Sequence, residues 1–123
     1  MQFRSLSLAA VALALFAMTA WSHHSHGNYQ QAEFKQLEGT VKQIRWLVPH
    51  SWIYLEVKDA KGQPAVWLLE GGSPGALEAE GWKKDDIKAG DNIKVRCHPL
   101  KDGSTGCLLG FVTTKTIVDK EFD

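Results

Sequence analysis

Leu37, Gly39 and Val41 share one parity of an extended chain, while Ile44, Trp46 and Val48 share the other. The offset of three between Val41 and Ile44 predicts a bulge at Lys42 and Gln43, which bends one long strand so that both halves face one core. Pro49 cannot donate to a ladder and ends that strand; His50 and Ser51 complete a corner. Ile53, Leu55 and Val57 then alternate with Trp52, Tyr54, Glu56 and Lys58, the pattern of a half-buried second strand. A turn at Asp59-Ala60-Lys61-Gly62 leads to a third strand over 65–70, apolar enough for both its faces to be covered.

Ser73 is the cap and Pro74 the first position of a short helix of about two turns in which Ala76 to Glu80 are good helix formers, closed by Gly81 with Trp82 packing back on it. After a charged connector, Ile93, Val95 and Cys97 alternate as a fourth strand, Asp102-Gly103 turns, and Cys107, Leu109 and Phe111 mark a fifth. One register pairs Cys97 with Cys107, Val95 with Leu109 and Ile93 with Phe111. Residues 115–123 read as a frayed tail after a short strand end at Ile117 and Val118. Three strands, a helix and two strands, with a bent first strand, predict a mainly β chain: an OB-like five-stranded Greek-key barrel with one short helix between strands 3 and 4. An open sandwich of five or six strands is the rival architecture.

The chain opens differently. Arg4 precedes an uncharged stretch to Ala32 whose segment 6–20 is almost wholly apolar, a signal-peptide pattern too short to span a membrane comfortably. Cleavage after Ser22, or alternatively after Ala20, is expected, and no cysteine follows the apolar core to carry a lipid. The expected organisation is a signal peptide over 1–22, a His-rich arm over 23–36, a barrel over 37–118 and a tail over 119–123. A periplasmic location follows, with no stable membrane span after cleavage. Losing Arg4 with the leader leaves 13 basic against 14 acidic residues, so no basic stripe favours a nucleic-acid partner. An oxidising compartment makes a Cys97–Cys107 disulfide the natural expectation, against two buried thiols.

Candidate chemistry is concentrated in histidine. His23, His24 and His26 fall within four residues, and His50 and His98 stand apart. Cleavage after Ser22 makes His23 the amino terminus, whose free amine and ring nitrogen can chelate divalent copper; His50 or His98 can add a ligand if the arm folds back. Cleavage after Ala20 exposes Trp21-Ser22-His23, a different square-planar chelate. Adventitious binding by a polar arm competes with both. Trp52, Tyr54 and Trp67 are read on the alternate face of strands two and three, where they either stack a ligand or are covered by the arm as a small second core. Glu70 beside Gly71-Gly72 either orients a ligand amine or satisfies turn amides. No nucleophile triad, phosphate loop or carboxylate pair stands out, so an enzyme has little support. The expected role is binding or accessory, with a small molecule or a periplasmic protein as partner.

His23-His24-Ser25, Pro49-His50-Ser51-Trp52-Ile53-Tyr54, the run from Trp67 to Pro74, Gly81-Trp82 and Ala89-Gly90-Asp91 together resemble a family of small secreted bacterial proteins grouped as a domain of unknown function. Val48 stands where its members usually show Asn, and the cysteine pair is not associated with them. The resemblance implies export and a small β-barrel, and carries no activity with it.

Overall fold

A computed structural model describes residues 26–123. The signal segment, its cleavage points, His23 and His24 lie outside the described residues. The elements run β1 (Lys35–Arg45), β2 (Trp52–Lys58), β3 (Pro64–Glu70), α1 (Pro74–Ala79), a single 3-10 turn (Lys84–Asp86), β4 (Asn92–Pro99), β5 (Gly106–Thr113) and β6 (Lys120–Glu121). The sheet order is β3-β2-β1-β4-β5-β6, and a parallel β3–β5 pairing through Leu68↔Gly106, Leu69↔Cys107 and Glu70↔Leu108 closes the first five strands into a barrel. The expected OB-like barrel is the observed one.

β1 serves two neighbours. Residues 35–40 pair with β4 and residues 40–45 with β2, and the β1–β2 register slips between Val41 and Gln43. Lys42 is the extra residue, so Val41 opposite Leu55 and Ile44 opposite Ile53 both face inward. Gly39 sits at the bend because a Cβ there would overlap the Glu56 carbonyl oxygen. The core joins Val41, Ile53, Leu55, Leu69, Ile93 and Leu109, and α1 closes one barrel end with Leu77. Ser73 Oγ accepts from the Ala76 amide at 3.2 Å, Pro74 occupies the first turn, and Gly81 takes φ 90°, which brings the Trp82 amide to the Leu77 carbonyl at 2.9 Å.

Four expectations are corrected. The β4–β5 register pairs Cys97 with Leu109 and Pro99 with Cys107, then slips so that Arg96 meets Phe111 and Val95 meets Val112. Cys97 and Cys107 therefore stand diagonally; a displacement by two residues preserves parity, and the disulfide forms with a Cα–Cα distance of 5.6 Å, both cysteines fully buried. Gly110 is the residue left over. It sends Phe111 outward, under the Arg96 guanidinium at 4.2 Å, and gives its core place to Val112. The carboxyl end is likewise no frayed tail. β6 pairs with β5, Phe122 is fully buried, and the Trp82 indole donates to the Glu121 carbonyl at 2.6 Å.

Trp67 is the third correction. It pairs directly with Leu55, and direct partners in an antiparallel ladder share a face, so its ring packs against the core instead of lying beside Trp52 and Tyr54. Nor are both faces of β3 covered: Val66 and Leu68, on the outer face, are 43% and 41% exposed.

Candidate metal centre

The corner after β1 is tied to the loop after β3. The Val48–Pro49 peptide is cis, the Ser51 amide donates to the Gly72 carbonyl at 2.9 Å, and the Gly71 amide donates to the Ser51 carbonyl at 2.8 Å. Gly71 permits this because any Cβ would run into Phe122, 2.6 Å from its ring, while the Gly72 amide donates to the Phe122 carbonyl at 3.0 Å. His50 is thus fixed over the Gly71 carbonyl, 3.2 Å from its Nδ1. A carbonyl only accepts, so Nδ1 carries the proton and the Nε2 lone pair is free in the neutral ring. That nitrogen lies 3.5 Å from Glu70 Oε1.

Glu70 is buried on the outer face of β3, opposite Trp52. What buries it is the arm. Tyr29 bridges to Leu100, the Gln30 amide donates to the Pro99 carbonyl at 2.8 Å, and the Lys101 amide donates to the Asn28 carbonyl at 2.8 Å. Tyr29 is thereby laid against the barrel and its hydroxyl donates to Glu70 Oε2 at 2.5 Å. Burial, then this hydrogen bond, then the nearby carboxylate charge push the phenol well above its ordinary value, so it stays a neutral donor.

The same arm brings His26 over the corner. Its ring centroid lies 6.0 Å from that of His50, and His26 Nε2 is buried with no hydrogen-bond partner among the described residues. His26, His50 and Glu70 each offer one ligand atom, and these atoms lie within 4.8 Å of one another. Donors sharing one ion at about 2.1 Å stand at most roughly 4.2 Å apart. The set is therefore only slightly wider than one ion requires. Two imidazoles and a carboxylate suit a divalent first-row ion, and the His50 Nδ1–H to carbonyl bond is the outer contact that orients a metal-ligating histidine.

Two of the five histidines named from sequence therefore meet, joined by a carboxylate assigned there to a different role. Glu70 accepts from a tyrosine instead of from turn amides. His98 is placed elsewhere: its Nδ1 donates to the Glu33 carbonyl at 2.7 Å and its ring lies 4.2 Å from that of Phe34. Trp52 and Tyr54 remain half-buried on the outer face of β2, without Trp67. Tyr29 went unnoticed in the sequence, although a lone phenol in an otherwise polar arm, three residues after His26, was a signal. No helix among the described residues is long and apolar enough to cross a membrane.

Residues 10–109 match a family described as a family of unknown function (DUF6152). No curated protein matches. Among solved structures, the mitochondrial single-stranded DNA-binding protein Rim1 of S. cerevisiae is similar in fold, with a TM-score of 0.51 at 6% identity over 68% of this chain and 93% of that one.

Proposed function

Because the chain belongs to this family, whose function is unknown, we propose from the site itself that it is an exported, periplasmic protein binding a divalent transition-metal ion through His26, His50 and Glu70. The observation that carries this reading is the convergence of three ligand atoms within 4.8 Å. The buried Nε2 of His26, without a partner among the described residues, supports it, since a buried polar atom without a partner is disfavoured unless something else satisfies it. Both cysteines are held in a disulfide, so no thiolate biases the site toward monovalent copper. Among divalent ions the general affinity order puts copper first. His23 and His24, just ahead of His26 in the chain, are further ligands in this reading. The apolar leader and the disulfide support export. The competing idea, a ligand stacked on Trp52, Tyr54 and Trp67, is weakened because Trp67 shares its face with Leu55.

Titrating metal-free exported protein with divalent copper against a competing chelator tests the assignment. One equivalent binds, and His50→Ala lowers affinity by about 100-fold, in the range expected for losing a ligand or its support. Unchanged affinity in His50→Ala, which retains His23, His24 and His26, would mean that the arm chelates alone and that the barrel site is wrong.

A further inference from the structure

The ligands come from two separate pieces of the molecule. His50 and Glu70 belong to the barrel, whereas His26 belongs to the arm, which touches the barrel through Tyr29, a short set of backbone hydrogen bonds, the His98–Glu33 contact and the Phe34 ring against His98 and Phe111. The two oxygens of Glu70 are also divided between the pieces: Oε2 accepts from Tyr29 and Oε1 faces His50. Building on the metal reading above, we propose that arm and ion bind the barrel cooperatively, with Tyr29 as the positioning residue that turns Glu70 Oε1 toward the ion.

The physical reason is linkage. An ion bonded to His26 on one side and to His50 and Glu70 on the other adds its binding free energy to arm docking, and a docked arm raises affinity for the ion by the same factor. Tyr29 lies at the join. Its main chain is fixed by the bridge to Leu100 and its ring is buried, so the hydroxyl holds Oε2 in one place. Without that bond the carboxylate is free to rotate, and either oxygen can turn away from the histidines. With it, one oxygen is committed to the phenol and the other is left for the metal, the arrangement by which outer contacts orient ligands.

The probe is zinc, which has no redox chemistry, added to the full exported chain. Hydrogen exchange at the Gln30 and Lys101 amides, which hold the arm, slows on the order of 10-fold when zinc binds, within the usual span of coupling between sites. Tyr29→Phe keeps the buried ring and lowers zinc affinity by roughly 10- to 100-fold. In a Glu70→Gln background, the same change lowers affinity little further, because the hydroxyl acts through that carboxylate; a merely structural tyrosine would lower affinity equally in both backgrounds. Zinc binding that leaves exchange at both amides unaltered, or undiminished affinity in Tyr29→Phe, overturns the cooperative assignment while leaving the metal site standing. A wild-type chain that binds neither zinc nor divalent copper overturns both.

Discussion

The Trp82 indole stands edge-on to Phe122, ring centroids 4.9 Å apart and planes at 76°, and the two residues join the segment just after α1 to the residue just after β6. Phe122 is fully buried, and its main chain holds Gly72 and Gly110 through hydrogen bonds of 3.0 and 2.9 Å. It therefore supports the loop under His50. Phe122→Ala should lower stability by about 3–5 kcal/mol, the range for truncating a buried aromatic. Chemical denaturation measures this; an effect near that of an exposed substitution would mean that the carboxyl end contributes nothing to the core.

Tyr29 makes stability depend on alkaline pH. Its phenol titrates above the ordinary value of 10.0 in the folded chain because burial and Glu70 disfavour the phenolate. Above about pH 10 the folded state thus holds a proton that the unfolded state has lost, and stability falls as pH rises through that window. Below it the contribution is fully present. The loss is on the order of 1 kcal/mol per pH unit at most, and Tyr29→Phe removes it. Metal-free wild type and variant, unfolded in denaturant at neutral and alkaline pH, should therefore differ most at neutral pH, with the difference shrinking progressively as pH rises above about 10. A constant difference would mean that neither burial nor Glu70 holds the phenol above its ordinary value.

Much of this architecture was legible in order of residues alone, for an identifiable reason. Val41 and Ile44 sit on opposite parities, and only an extra residue reconciles them, so the β1 bulge announced itself. At β5, Phe111 is apolar and fits either parity, so nothing in the pattern betrayed the bulge at Gly110 or the transfer of its core place to Val112. Trp67 was misplaced because Ala65 to Leu69 is continuously apolar and carries no period. The histidines were legible by type. Their meeting with Glu70 was not, since it depends on an arm docking across the barrel, a contact spanning 41 residues between Tyr29 and Glu70.

Gly39 tests whether the bend of β1 is as closely packed as the barrel requires. It lies where β1 leaves β4 for β2, and its missing side chain lets the Glu56 backbone pass. Backbone, unlike the end of a flexible side chain, cannot move aside without disturbing the Thr40↔Glu56 and Val41↔Leu55 pairs. Gly39→Ala should therefore destabilise by roughly 1–3 kcal/mol, as overpacking does, although alanine otherwise fits a strand better than glycine. Gly62→Asn makes a useful contrast: Gly62 is exposed in the β2–β3 turn at φ 77°, with open space around a Cβ, and asparagine tolerates that conformation. Thermal melts of the two variants should separate, Gly39→Ala falling several degrees below wild type and Gly62→Asn staying close to it. Equal melts would place the crowding elsewhere than at the strand crossing.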